Sequence, residues 1–182
     1  MKKLNKRGPL SKISYFLFVS TPIHIIILLT SLLPNSSIAN RIRGLLLRPF
    51  FKRCGKGVQI ASGVLINNIN KVSLGNNVYI AHNVWINGAG GLEINDNSIV
   101  GPYSVIATTQ HVFIDNMVSN RESNVGNIVI GQGTWLASHV VVTQGVTIGD
   151  GVLIAAGSTV TKNISSFTMV GGVPAKFIKD MN

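Results

Sequence analysis

Aliphatic residues spaced by six constrain this chain more than anything else in it. Leu74, Ile80 and Ile86, then Ile94, Val100 and Ile106, then Ile130, Leu136, Val142, Ile148, Ile154 and Val160 open twelve units, eleven complete and one cut short after Ile86. An α-helix turns about 100° per residue, so a period of six would aim the apolar position in a new direction each time. One short flat strand and one corner per unit fit the period, and three units closing a coil give a triangular solenoid with position one pointing to its axis. Position two is Gly, Ala, Asn or Thr, which suits a tight corner, and position five is mostly Val, Ser, Thr or Ile. Five or six coils between Val58 and Ile164 form a prism roughly 25 Å tall, at about 4.8 Å per coil.

Departures from the period mark what the solenoid carries. Extra residues after Ile66 and Ile86 predict small protrusions at corners. The spacing from Ile106 to Ile130 is 24, a multiple of six, so the coil resumes in phase after an excursion. That excursion, residues 111–127, predicts a projecting loop with His111 at its root.

The net charge of +10 is unevenly placed. Residues 1–56 hold eleven Lys or Arg and no Asp or Glu, whereas the remainder sums to −1. Such a division argues against a nucleic-acid interface spread over the fold and for a basic N-terminal segment appended to the solenoid at 57–179. Within that segment Ile13 to Leu33 carries no Lys, Arg, Asp or Glu, a length that rises about 30 Å as a helix. Pro22 interrupts its middle, His24 dilutes it, and cations flank both ends, which the positive-inside rule places together in the cytoplasm. A re-entrant or in-plane membrane anchor satisfies these signals. Two alternatives are a signal peptide cleaved after Ala39 and a helix packed on the protein's own domain or on a neighbour. The following RIRGLLLRPFFKRCGKG alternates cations with Leu and Phe and suits anionic lipid. Cys54 is the only cysteine, which excludes an intrachain disulfide and a multi-cysteine metal site.

TTQH before the loop, the later GTW unit, AAGSTVTK and the GGVPAK ending resemble the hexapeptide-repeat acyltransferases. The likeness is greatest to the bacterial sugar O-acetyltransferases that act on galactosides, maltose, nodulation factors and surface polysaccharides. The resemblance covers residues 58–179 and implies an all-β, left-handed parallel β-helix that assembles as a homotrimer with sites between neighbours. It implies acetyl-CoA as acyl donor and no metal. His111 matches the family's general base, which takes the proton of a sugar hydroxyl as that oxygen attacks the thioester, without a covalent acyl-enzyme. Trp135, Ser138, Ala156, Thr161, Lys162 and Lys176 match the acetyl-CoA groove, the lysines near the nucleotide phosphates. Where the family carries an acceptor-binding asparagine this chain has Ala81, and Asn83 two positions on is the substitute. Asp115 is a second candidate, either orienting the imidazole or binding sugar hydroxyls. His139 reads as surface, and His82 is ambiguous.

These readings combine into an acetyl-CoA-dependent O-acetyltransferase. Its acceptor is a sugar or lipid-linked oligosaccharide precursor of a bacterial surface polysaccharide, met at the cytoplasmic face of the cytoplasmic membrane or, alternatively, in the cytoplasm. N-acetylation of an amino sugar is the nearer rival, and a non-catalytic membrane-tethered scaffold the more distant one. The zinc enzymes that share such solenoids require three histidines, and no closely spaced pair exists among His24, His82, His111 and His139.

Overall fold

Every aliphatic residue that opens a unit points into the prism. In the computed structural model, which describes residues 2–3 and 8–181, all twelve are at most 1% exposed. Burial at this period forces the chain into three parallel sheets. Face I stacks Arg53–Cys54, Val72–Leu74, Leu92–Ile94, Ile128–Ile130 and Thr147–Ile148. Face II stacks Gln59–Ile60, Tyr79–Ile80, Ile99–Val100, Trp135–Leu136, Leu153–Ile154 and Thr168–Gly171, and the antiparallel Lys176–Asp180 closes its far edge. Face III stacks Leu65–Asn67, Trp85–Asn87, Val105–Ala107, Val141–Val142 and Thr159–Val160. The register makes the protrusions explicit: Ile60 pairs with Ile80 and Ile80 with Val100, a step of twenty, whereas Leu136 pairs with Ile154, a step of eighteen. In the early coils the surplus sits between faces III and I, in a short 3-10 turn at Ile69–Lys71 and in the Gly88–Gly91 corner.

The corners work differently from the expectation placed on position two. The left-handed backbone falls at position four, at Asn77, Asn83, Asn97, Tyr103, Gly133, His139, Gly145, Gly151 and Gly157. Asparagine and glycine tolerate that conformation best, which accounts for the asparagines of the early coils. Position two is small for another reason: a Cβ on Gly75, Gly101, Gly131 or Gly149 would strike the adjacent coil. At the I–II corner, side chains at position three cap the coil before them, Asn76 Oδ1 accepting from Lys56 N (2.9 Å), Asp96 Oδ1 from Asn76 N (2.8 Å) and Asp150 Oδ1 from Gln132 N (2.7 Å). The bonds from Asn76, first from its backbone N–H, hold the Asp96 carboxyl below the usual carboxylate range. Hydroxyls at position five stay satisfied although fully buried, Ser98 donating to the Gly131 carbonyl and Thr134 to that of Gly149.

Helices close the end at which the first coil begins. We label them α1 (Pro9–Tyr15), α2 (Thr21–Ser31) and α3 (Ser37–Leu47); a π-helical stretch, Phe16–Ser20, joins the first two without a break. Pro22 therefore does not interrupt the run. Proline lacks the N–H of a regular helix and crowds the preceding turn, and the wider turn before it relieves both, with the Thr21 hydroxyl bonded to the Phe16 carbonyl at 2.9 Å. Ser36 caps α3 through Ala39 N. α3 lies on Gln59–Ile60, so close that a Cβ on Gly44 would meet the Val58 carbonyl. α2 passes Leu65–Asn67, with Val19, Ile23 and Ile26 packed against the core. Arg43, 3% exposed, ties the cap together: its guanidinium donates to Asn40 Oδ1 (2.9 Å), the Thr30 carbonyl at the end of α2 (3.0 Å) and the Ile60 carbonyl of the first coil (3.3 Å). Of the helices described, Leu10–Ser31 is the one long and apolar enough to cross a membrane by length and composition. Lys6 and Arg7, counted among its flanking cations, lie outside the described residues.

Two stability changes follow. Ile130→Ala, deep in the fourth coil, costs about 2–5 kcal/mol in denaturant unfolding. Arg43→Met, which keeps a side chain of similar length but removes the donor of three buried hydrogen bonds, costs about 2–4 kcal/mol in the same measurement.

Candidate functional site at the hairpin root

Thr108 fixes where the solenoid is left and rejoined. Its buried hydroxyl donates to the Asn87 carbonyl (2.6 Å) and accepts from Gly90 N (2.8 Å), while its own carbonyl accepts from Gly126 N (3.1 Å), where the chain returns. The excursion between them is an antiparallel hairpin, Thr109–Ile114 against Met117–Val125, with Lys2–Lys3 added as a third strand along Met117–Val125. Asp115 and Asn116 form its turn, both with positive φ, the geometry that matches the twist of paired strands.

His111 sits on the first strand, exposed, next to an irregularity in the pairing. Its Nδ1 lies 2.9 Å from the Ser119 carbonyl. A carbonyl only accepts, so Nδ1 carries the proton in this contact, and Nε2 is the acceptor nitrogen of the neutral ring. The Ser119 hydroxyl accepts from the backbone N–H groups of Arg121 (3.2 Å) and Glu122 (3.1 Å), which fixes the local turn that presents that carbonyl. It is therefore Ser119, and not Asp115 at the hairpin tip, that orients the imidazole. Gln110, the preceding residue, accepts from Gln144 Nε2 at 2.7 Å and ties the strand to the next coil. Beside them a groove of about 440 Å³ runs over face III, lined by Ala107, Thr109, Gln110, Thr143, Gln144 and Thr161.

Of the residues singled out in the sequence, only Thr161 shares this groove with the root of the hairpin. Trp135 stands half-exposed on face II, in register with Ile99 and Leu153. Lys176 lies on the strand that edges the same face, paired with Gly171. Ser138 and Ala156 occupy the II–III corner, and Lys162 begins the III–I corner. Asn83 also lies at the II–III corner, where its left-handed φ of 57° gives it a backbone reason to be asparagine. The asparagine at the hairpin root is Asn87, which donates to Thr109 Oγ1 at 3.0 Å. That bond links residues 22 apart across the stack, a separation invisible to a six-residue pattern.

A second cleft, about 560 Å³, opens on face II between the turn from α2 to α3 and the first three coils. Asn35, Asn40, Gln59, Tyr79, Asn97 and His82 are among its walls. Among the described residues that line it there is no Lys, Arg, Asp or Glu, so it offers amide and hydroxyl groups with the rings of Tyr79 and His82. Nδ1 of His82 is 2.9 Å from Ser62 Oγ. His139 stacks on Tyr103 with ring centroids 5.1 Å apart on the exposed II–III corner.

Comparison with known proteins places this geometry. Residues 127–162 match the model described as bacterial transferase hexapeptide (six repeats). Galactoside O-acetyltransferase of Escherichia coli (strain K12) is 32% identical over 137 residues, 75% of this chain and 68% of that protein. The chain belongs to the hexapeptide-repeat acyltransferase family. A protein of the same organism named as a colanic acid biosynthesis acetyltransferase, WcaF, is 34% identical over 140 residues, covering 77% of this chain and 75% of its own length. The structure of a galactoside acetyltransferase in complex with coenzyme A superposes over 100% of this chain and 87% of that one, with a TM-score of 0.83 at 25% identity. The present chain is thus an acetyltransferase, its solenoid the left-handed parallel β-helix of the family.

Since Ser119 holds the ring and Asp115 makes the turn, Asp115→Asn in this acyltransferase leaves kcat within about twofold of wild type, because asparagine accepts the same left-handed backbone, and any loss falls on KM for the acceptor. Steady-state kinetics on the purified variant reads this directly.

Proposed function

We propose that the enzyme transfers the acetyl group of acetyl-CoA to a hydroxyl of a sugar in a bacterial surface-polysaccharide precursor, with His111 as general base. The observation that carries this reading is the Nδ1 contact to the Ser119 carbonyl, which leaves Nε2 as the ring nitrogen open to an acceptor hydroxyl. A sugar hydroxyl is a poor nucleophile until its proton has somewhere to go. In the step proposed, Nε2 takes that proton as the oxygen attacks the thioester carbonyl, the C–S bond breaks as the tetrahedral adduct collapses, and the imidazolium returns the proton to the departing thiolate. Atoms and charge balance with no acyl-enzyme.

The acyl donor is acetyl-CoA. The residues proposed to hold it fall on two faces, Thr161 beside the hairpin and Trp135 and Lys176 on face II, so we propose a homotrimer in which face II of one copy meets face III of the next. Trp135 then lines the groove, the backbone at Ser138 and Ala156 runs along the pantetheine arm, and Lys162 and Lys176 meet the phosphates as point charges. Asn83 and Asp115 remain the proposed contacts to the acceptor sugar. The sugar acceptor is supported by the galactoside O-acetyltransferase relative, and the long apolar N-terminal helix supports work at the cytoplasmic face of the cytoplasmic membrane.

The test is thiol release from acetyl-CoA with a panel of nucleotide and lipid-linked sugars. His111→Ala lowers acceptor-dependent kcat by about 10²–10⁴-fold while acetyl-CoA binding is retained. A variant with wild-type turnover would remove His111 from the chemistry. Transfer to amino sugars alone would reassign the acceptor atom to nitrogen.

A further inference from the structure

The helical cap has two sides, and only one is used by the fold. Val19, Ile23 and Ile26 pack on the first coils, and Ala39, Arg43, Gly44 and Leu47 of α3 are buried beside them. On the other side Ile25, Leu28, Leu29 and Leu32 of the α2 region and Ile38, Leu45 and Leu46 of α3 are exposed by 44–84%, continuous with Leu10, Ile13, Leu17 and Phe18. No Asp or Glu precedes Glu93 in the sequence, so the cap and the start of the first coil, residues 9–56, carry cations alone, with Lys12, Arg41, Arg48, Lys52, Arg53 and Lys56 exposed. Three of these cations converge, since Arg41, Arg48 and Lys56 line a groove of about 270 Å³ that also contains the exposed Leu45.

We propose that this cap is a base on which the solenoid stands upright on an anionic bilayer, with the Arg41, Arg48 and Lys56 groove receiving a lipid headgroup phosphate. An apolar face of this extent bordered by cations alone complements a surface that is apolar within and anionic at its rim, and a second protein copy brings no such anion because its own cap is equally basic. The packing also decides between the two anchor geometries left open by the sequence. A re-entrant helix must enter the bilayer free of the domain, whereas one stripe of α2 is committed to the solenoid, so the helix lies in the plane. The hairpin root then stands two to three coils plus one helix above the acyl chains, about 20–25 Å. At that height the enzyme acts on a saccharide tethered to the same bilayer whose reacting sugar stands several units away from its lipid. This last step rests on the transferase reading above; the orientation does not.

Vesicle binding tests it without turnover, so a failure of acetyl transfer and a failure of this inference are told apart. Full-length protein is sedimented with phosphatidylcholine vesicles and with vesicles containing about 30% phosphatidylglycerol. We expect binding to the anionic vesicles, weakened on the order of a hundredfold in Arg41→Gln/Arg48→Gln/Lys56→Gln with acetyl transfer to a soluble sugar unchanged. Spin labels at Leu29→Cys and Ser165→Cys, in a Cys54→Ser background, report depth: the first within the acyl region, the second in water. Absence of binding, indifference to the triple substitution, or equal depths for the two labels would overturn the proposal. So would Leu28→Ser/Leu29→Ser if it dissociated the oligomer and left vesicle binding intact, because the base would then be a contact between copies.

Discussion

Inward packing at every sixth residue is the constraint on which the rest of the molecule depends. A β-strand two or three residues long has no stability by itself, and here none is asked to stand alone. Each buried Leu, Ile or Val touches its equivalents one coil away, and the parallel ladders saturate the backbone between them. Rigidity follows from repetition, and it gives a lone imidazole a fixed platform.

How legible this was varies with the range of the interaction. The strands, the direction of their side chains and the return of the coil in phase after the excursion were readable because each depends on a local period. So was the place of His111 beside the excursion, since it stands where the period fails. Other features were hidden. The left-handed residue sits at position four and not at position two, because the turn and the close approach of neighbouring coils make separate demands that both favour small residues. Asn87 escaped notice because its partner Thr109 is brought near by stacking. Ser119 acts through its carbonyl, which no side-chain pattern encodes. Asp115 looked available to the imidazole at four residues' distance, yet a tight two-residue turn claims it. Pro22 promised an interruption that a wider helical turn absorbs.

The N-terminal segment shows composition and structure answering different questions. Its hydropathy and charge describe what surrounds the molecule, while its packing describes what it is fastened to. Arg43 links the two. A guanidinium with no acid in reach is held by three neutral oxygens, so the cap is fixed to the first coil by hydrogen bonds and leaves its outer leucines free for other company.

The Thr108 stitch carries a wider consequence. Departure and return meet at one threonine and one glycine, and the coils on either side remain in register whatever lies between. The hairpin is therefore a cassette: its length and chemistry can change without disturbing a single buried contact of the prism. A scaffold built this way separates inheritance of the fold from the chemistry it displays, and diversification needs to rewrite only the piece that hangs outside.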